Sequence, residues 1–230
     1  MTDFDPAGCM NRYRALIREQ PDRFINPDGD IYEILFDDAR IDRARKDALD
    51  SRRSHGLRTD DTRVGVLAVD PYLLLMREAV RFADGSYGLY NRLMVPAGVA
   101  ILPVVGDAIA LLYRFRHGTR AWHLEAPRGS RSGTTTAAEE AERELLEEVG
   151  ARPRELVDLG ELHATTGCLD EWHRMYLARI DAVGTPDRHE AISEIRVLPV
   201  SSVEQMIADG QITDAPTLAL FLRARLRGHL

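Results

Sequence analysis

Residues 143 to 151 of this 230-residue chain read RELLEEVGA, and six glutamates fall between Glu139 and Glu148. Carboxylates at helical spacing repel one another by roughly a few tenths of a kcal/mol for each pair. Arg143 is the one basic residue among them, and the other neighbours are alanine, leucine and valine. We therefore expect a helix whose acidic side is balanced by cations supplied from solution.

The residues around this stretch predict where the helix begins and ends. Thr136 and Glu139 have the spacing of a capping box, and Gly150 stands where a left-handed C-terminal cap is needed. A rotation of about 100° per residue places three carboxylates on one face: Glu144, Glu147 and Glu148. The adjacent apolar stripe packs inward and consists of Ala138, Ala141, Leu145 and Val149. Carboxylate oxygens without nitrogen or sulfur ligands suit hard ions, so the face predicts a Mg²⁺ or Mn²⁺ site.

The rest of the chain alternates short apolar runs with turn residues. Strands are predicted at residues 64–70, 72–82 and 87–95, with Asp84 and Gly85 as a hairpin turn. Further strands are predicted at residues 99–105, 108–115, 122–126, 157–162, 175–180 and 194–200, and helices at 203–209 and 215–226. Residues 1–60 are predicted to form a charged helical extension with few apolar side chains to bury. This extension is either solvated or an accessory to a dimer.

Composition excludes several classes of function. A net charge of −7 argues against a general nucleic-acid binder, which shows a basic balance on one face. The best apolar run, at residues 95–112, is interrupted by proline, glycine and aspartate, so no membrane span is predicted. The acidic N-terminus lacks the pattern of a signal peptide, and Cys9 and Cys168 are expected to be reduced thiols. These features predict a soluble cytoplasmic protein.

The acidic helix and its upstream residues resemble the Nudix box. That pattern is glycine, five residues, glutamate, seven residues, then Arg-Glu-apolar-x-Glu-Glu-x-Gly-apolar. The residues that match it in register are Gly129, Arg143, Glu144, Leu145, Glu147, Glu148, Gly150 and Ala151. Thr135 stands in place of the first glutamate, which puts metal occupancy or catalytic efficiency in question.

The resemblance extends over roughly residues 64 to 230. The stretches RFADGSYGLYNR, LPVVGDAIALLYRFRH, WHLEAPRG and IADGQITDAPTLALFL are similar to the ADP-ribose pyrophosphatase branch of the Nudix hydrolases. It implies an α/β (α+β) fold, the Nudix α/β/α sandwich with a mixed sheet, preceded by an antiparallel β arm and the helical extension. The chain is thus divided into the helical extension at residues 1–60, which lies outside the resemblance, an antiparallel arm at 61–95 that the resemblance assigns to a homodimer, and a catalytic domain at 96–230.

The resemblance also implies a reaction and a set of site residues. The family hydrolyses a nucleoside diphosphate linked to another group, here ADP-ribose or an ADP-sugar, to AMP and a sugar phosphate, with Mg²⁺ or Mn²⁺. It assigns the metal to Glu144, Glu147 and Glu148, with Arg143 orienting Glu144. It assigns substrate contacts to Arg116, Arg128 and Gly129, the Arg128 carbonyl being a further candidate metal ligand. It assigns the general base to Glu190 or Glu194, of which Glu190 is preferred, and leaves Glu171 as an accessory ligand.

Two other readings stay open. The substrate is another nucleotide sugar or a dinucleotide, because the box does not report specificity. Alternatively, the chain is a binding or regulatory module with the Nudix fold and little turnover, for which Thr135 is the one supporting feature.

Overall fold

The computed structural model describes residues 5–130, 133, 135–186 and 191–230. The helices are α1 (Pro6–Glu19), α2 (Asp38–Ser54), α3 (Ala137–Val149), α4 (Val200–Ala208) and α5 (Ala215–Leu226). The strands are β1 (Glu33–Ile34), β2 (Gly65–Val69), β3 (Leu74–Arg81), β4 (Tyr87–Met94), β5 (Gly98–Val105), β6 (Ala108–Arg116), β7 (Ala121–Glu125), β8 (Arg128–Ser130), β9 (Glu155–Leu162), β10 (Leu169–Asp170), β11 (His173–Arg179) and β12 (Ile192–Pro199). Among the described residues, every helix is too short or too polar to cross a bilayer.

The chain divides into two compact units. The N-terminal unit comprises the described residues up to Val95 together with Thr166–Asp170, and the C-terminal unit comprises the described residues of Pro96–Thr165 and Glu171–Leu230. The sheet of the N-terminal unit has the strand order β1-β3-β4-β10, with β2 also paired to β3. The central hairpin pairs β3 with β4 from Leu74 opposite Met94 to Arg81 opposite Tyr87.

Residues before position 60 contribute to the core of the N-terminal unit. Helix α1 buries Cys9, Tyr13 and Leu16, and α2 buries Ile41, Ala44 and Ala48. Tyr13 and Leu16 pack in one cluster with Val66 and Met76 of the sheet, and Ile41 and Ala44 pack in another with Ala79. The expectation of a solvated extension with little to bury therefore differs from the structure. A narrow stripe of small and apolar residues is enough to dock a highly charged helix on a sheet.

A mixed sheet forms the centre of the C-terminal unit. Its order is β12-β6-β5-β11-β9, with β7 paired to β6 and β8 paired to β5. Strands β5 and β11 are parallel, whereas β5–β6, β6–β12 and β9–β11 are antiparallel.

Helices cover both faces of this sheet. Alternate residues of β5 point to opposite faces, so Val99 and Ile101 pack with α3 while Ala100 and Leu102 pack with α4 and α5. The predicted α/β/α sandwich with a mixed sheet is confirmed. Its consequence for the site is that α3 lies against β5, next to the short strand β8.

Candidate active site

Helix α3 is held at both ends by the caps that the sequence predicts. Thr136 and Glu139 form the reciprocal capping box, and Gly150 adopts a left-handed conformation with φ 68°. The apolar stripe of Ala141, Leu145 and Val149 is buried in the cluster beneath the helix. Fixed ends and a buried stripe determine which carboxylates face the sheet.

Three glutamates at intervals of four residues form the buried acidic row of α3. Glu140, Glu144 and Glu148 are exposed by 0%, 7% and 1%. The Glu147 side chain, in contrast, is 43% exposed. The row thus contains Glu140, which was not among the predicted site residues, although its spacing to Glu144 and Glu148 is visible in the sequence.

Arginines lie against each carboxylate of this face. Arg143 contacts Glu144 through Nη2, which also contacts the buried Glu140, while its Nη1 contacts Glu147. The Arg143–Glu144 contact is made by one nitrogen rather than by a bidentate fork. Arg114 of β6 contacts Glu148. The acidic row is therefore partly neutralised by guanidinium groups from its own helix and from the neighbouring sheet.

Strand β8 brings backbone directly against two of these carboxylates. The backbone N–H of Arg128 donates to Oε2 of Glu148 at 3.0 Å. A Cβ at Gly129 would overlap the carboxylate of Glu144. Glycine is required at position 129 because the Glu144 carboxylate lies close to the backbone there, and not because of its backbone angles. The carboxylates of Glu144 and Glu148 thus both converge on the Arg128–Gly129 dipeptide.

Burial and neighbouring charge shift the titration of Glu144. Loss of solvent raises its pKa to about 7, and repulsion from the other glutamates of α3 acts in the same direction, while Arg143 opposes the shift. The glutamates that repel it are Glu148, Glu147 and Glu140. A cation placed beside Glu144 would favour its ionised form.

Glu125, at the end of β7, organises a second group of arginines. It is 1% exposed and lies within ion-pair distance of Arg114 at 3.6 Å, Arg128 at 3.5 Å, and Arg116. Since Arg114 also contacts Glu148, it links this group to the acidic row of α3.

A cavity of about 420 Å³ lies next to these arginines. Its lining includes Arg116, His123, Glu125, Arg128 and Asp214. Asp214 caps α5 by accepting from the Thr217 N–H at 3.1 Å, and it also pairs with Arg128 at 3.0 Å. The volume is that of a small-molecule site, and its two guanidinium groups are paired with the carboxylates of Glu125 and Asp214.

Comparison with known proteins places the chain in a family. Over 158 residues it is 30% identical to the ADP-ribose pyrophosphatase of Mycobacterium tuberculosis, an alignment that covers 63% of this chain and 72% of that protein. The chain belongs to the ADP-ribose pyrophosphatase-like Nudix hydrolases. No protein-family model matches it.

Two further relatives agree with this placement. The chain is 31% identical over 123 residues to the CMP-5'-(N-acetyl-N-hydroxy-3-aminopropyl)phosphonate hydrolase of Streptomyces rubellomurinus, which is 52% of this chain and 60% of the relative's length. A crystal structure of an ADP compounds hydrolase has a TM-score of 0.63 at 21% identity and covers 73% of this chain and 94% of that one. At that identity the structural match establishes the fold alone.

The departure of this Nudix chain from the box has a structural counterpart. Thr135 stands where the box has glutamate, and its hydroxyl donates to Oε2 of Glu140 at 2.8 Å. Oε1 of the same carboxylate contacts Arg143. A buried carboxylate one helical turn into α3 thus contacts the residue that occupies the position of the first box glutamate.

The donor set of the Nudix helix is compatible with a hard divalent cation. Glu144 and Glu148 supply carboxylate oxygens that meet at one dipeptide, and burial together with the neighbouring glutamates raises the pKa of Glu144. Within the described ranges, His, Cys, Asp and Glu side chains do not form a preassembled group of three or more that could hold a metal. Arginine side chains lie on the oxygens concerned, so a cation would bind by displacing or sharing those contacts.

The other predicted site residues are the two candidate general bases and the accessory ligand. Glu190, the preferred general base, lies outside the described residues. Glu194 is on β12, and its carboxylate accepts from Arg196 Nε at 2.6 Å. Glu171 approaches His173 at 3.8 Å. Arg114, Glu125 and Asp214 were not predicted as site residues, because their convergence depends on the pairing of β6 with β7 and on the position of α5.

Proposed function

We propose that this chain is a Mg²⁺-dependent or Mn²⁺-dependent hydrolase of the pyrophosphate bond in ADP-ribose or an ADP-sugar, releasing AMP and a sugar phosphate. The observation that carries the proposal is the convergence of Glu144 and Glu148 on the Arg128–Gly129 backbone. The mycobacterial relative, an ADP-ribose pyrophosphatase, supports the substrate class.

In this proposal the two ionic networks have different functions. Glu144 and Glu148, with the more exposed Glu147, hold the metal. The chemistry that a divalent ion would supply there is neutralisation of phosphate oxygens and activation of a water molecule. Arg143 keeps its contact with Glu140 and so fixes the direction from which Glu144 reaches the ion.

Arginines of the cavity bind the diphosphate in this proposal. Arg116 and Arg128 line the same cavity and are both held by Glu125. A guanidinium fixed by one carboxylate still presents N–H groups to a phosphate, and fixation lowers the entropy lost on binding. Glu190 is proposed as the general base from the family resemblance, since Glu194 already accepts from Arg196.

Incubation of the purified full chain with ADP-ribose and Mg²⁺ tests the activity, with AMP release as the readout. Glu144→Gln should lower the rate by about 100-fold, the effect expected when one charge-stabilising group is lost. Glu142→Gln is the matched control, because Glu142 is on the same helix but exposed. Equal rates for the two variants would refute the assignment of the acidic row.

A cytidine nucleotide is the second candidate substrate, favoured by the similarity to a hydrolase of a CMP-linked phosphonate. A panel that contains ADP-ribose, other nucleotide sugars, a dinucleotide and CMP-linked compounds separates these candidates. Binding of a panel member without any turnover in Mg²⁺ or Mn²⁺ would instead identify a binding or regulatory module.

We also propose that the N-terminal unit forms a homodimer in the cytoplasm. Several of its large apolar side chains are exposed, Tyr72 by 79% and Ile25 and Leu57 by 62% each. Burial of such side chains against a partner would remove apolar surface from water. Cys9 and Cys168 are not joined in a disulfide, which suits a reducing compartment. Light scattering after gel filtration should give twice the mass of the chain, and Tyr72→Glu should shift it towards the monomer.

A further inference from the structure

A cavity in the N-terminal unit belongs to no part of the proposed active site. It has a volume of about 1020 Å³. Its lining consists of Asp5, Pro6, Arg45, Arg52, Arg58, Asp60, Asp61, Thr62, Arg63 and Arg77. Five arginines face three aspartates, a formal excess of two positive charges in a chain whose net charge is −7.

Three of the arginines are fixed by the backbone of the segment that follows α2. Arg52 Nη1 donates to the carbonyl of Asp61 at 2.6 Å, and Arg77 Nη1 donates to the same carbonyl at 3.1 Å. Arg45 Nε donates to the carbonyl of Thr62 at 3.2 Å. Each guanidinium has five N–H donors, so these contacts orient the groups and leave further donors for a ligand.

The aspartates of the cavity already have partners. Asp61 receives Arg63 Nε at 3.0 Å and lies 3.3 Å from Arg77 Nη1. Asp60 accepts from both Nε and Nη2 of Arg58. Asp5 accepts from the N–H of Gly8 at 2.6 Å and caps α1. Asp60 and Asp61 therefore neutralise Arg58 and Arg63. Arg45 pairs with Asp42 at 3.2 Å, outside the cavity lining.

Arg52 is the uncompensated charge. Within the described part of the chain its guanidinium contacts the Asp61 carbonyl and makes no ion pair with a carboxylate. Its charge also acts on Arg77, whose pKa is lowered by burial, Arg52 and Arg63 against the opposing effect of Asp61. An anion between Arg52 and Arg77 would remove this repulsion.

We infer that this cavity is a second ligand site that binds a polyphosphate anion through Arg52, Arg77 and Arg45. Arginine forks bind phosphate oxygens bidentately, and several of them around one cavity match a ligand with more than one phosphoryl group. The volume is at the upper end for small-molecule sites. None of the described residues of its lining has an aromatic ring on which a base could stack, so phosphate groups and not a nucleoside are inferred to be the recognised part.

Isothermal titration of the full chain with inorganic tripolyphosphate, in EDTA and at low salt, tests the inference. Arg52→Gln should weaken binding by about 10-fold or more, the effect of losing one charge-assisted contact. Arg53→Gln is the matched control, since Arg53 is the next residue of α2, pairs with Asp50 and does not line the cavity. Its affinity should stay within about twofold of wild type.

Further variants and ligands in the same titration experiment distinguish this site from the proposed active site. Arg128→Gln should leave tripolyphosphate binding intact. If Arg128→Gln abolished tripolyphosphate binding while Arg52→Gln bound it as tightly as wild type, the inference would be overturned. Absence of tripolyphosphate binding to the wild type would also overturn it. Should Arg52→Gln fail to fold by circular dichroism, Arg45→Gln carries the same expectation. If ADP bound at the Arg52 site much more tightly than pyrophosphate, the site would recognise the nucleoside as well. That result would overturn the assignment of recognition to the phosphate groups alone.

Discussion

The hydroxyl of Thr135 donates to Oε2 of the buried Glu140 at 2.8 Å. Oε1 of that carboxylate contacts Arg143, which also contacts Glu144. The one position at which the chain departs from the Nudix box therefore lies against a carboxylate that comes from the next turn of the helix.

Restoring the box glutamate should therefore harm the protein. In Thr135→Glu a second carboxylate meets the fully buried Glu140, and like charges in a buried site are strongly unfavourable. We expect a loss of about 1–3 kcal/mol in the free energy of unfolding, as for a lost buried polar contact. Urea denaturation in EDTA measures it. The double variant Thr135→Glu, Glu140→Gln should recover most of the loss, and a double variant as unstable as the single one would contradict this account.

Gly129 provides a second test of the same region. A Cβ at this position would overlap the Glu144 carboxylate, so Gly129→Ala should displace that side chain and cost about 1–3 kcal/mol, as overpacking does. AMP release in Mg²⁺ should fall together with stability. Gly133→Ala is the control, because a Cβ there meets nothing within 4 Å. Equal stability and activity for the two variants would show that Glu144 does not depend on this approach.

Much of the architecture was predictable because its signals are local. The capping box at Thr136, the left-handed Gly150 and the hairpin at Asp84–Gly85 each depend on a few neighbouring residues. Long apolar strands such as β5 and β6 were also predicted to within about a residue or two, the usual uncertainty of such boundaries. The Nudix box then added a fold that no local pattern could give.

The parts that were missed depend on pairing between distant segments. Strand β8 has three residues and no apolar pattern, and its position comes from its ladder with β5. The contacts of Arg114 and Glu125 follow from the pairing of β6 with β7. Glu140 was missed for a different reason, since it was visible at four-residue spacing but lies outside the box motif.

The contacts of Glu33 predict a contribution to the stability of the N-terminal unit that is lost in acid. It accepts from Arg40 Nη1 and Nη2 at 2.9 Å each and from Arg81 Nε at 2.7 Å, and these hydrogen bonds lower its pKa to about 2. A lowered carboxyl pKa stabilises the fold above the unfolded value and loses that contribution as the pH falls through the folded value. The contribution of Glu33 should therefore be complete near neutral pH and decline from about pH 4.5 towards pH 2.

The variant Glu33→Gln measures this contribution. Because the side chain is 23% exposed, we expect a loss of only about 1 kcal/mol at neutral pH. The difference from wild type should shrink as the pH approaches the folded pKa. Urea midpoints at neutral and acidic pH give both values. Glu19→Gln, at the exposed end of α1, should match wild type throughout, and a difference that is independent of pH would exclude the ionic explanation.

The pKa shift of Glu144 has the opposite sign to that of Glu33. Burial raises its pKa from 4.5 to about 7, so between these values the folded chain retains a proton that the unfolded chain has released. The free energy of unfolding of the metal-free protein should fall as the pH rises through this window, by on the order of 3 kcal/mol.

Glu144→Gln should remove that pH dependence. In EDTA, urea midpoints of wild type should fall between about pH 5 and pH 8, whereas those of Glu144→Gln stay nearly level, because glutamine does not ionise. Glu142→Gln should follow wild type. Adding Mg²⁺ near pH 8 should then stabilise wild type and Glu142→Gln but not Glu144→Gln, since a ligand that binds the folded state alone raises its stability. Parallel pH curves for wild type and Glu144→Gln would contradict the raised pKa of this carboxylate.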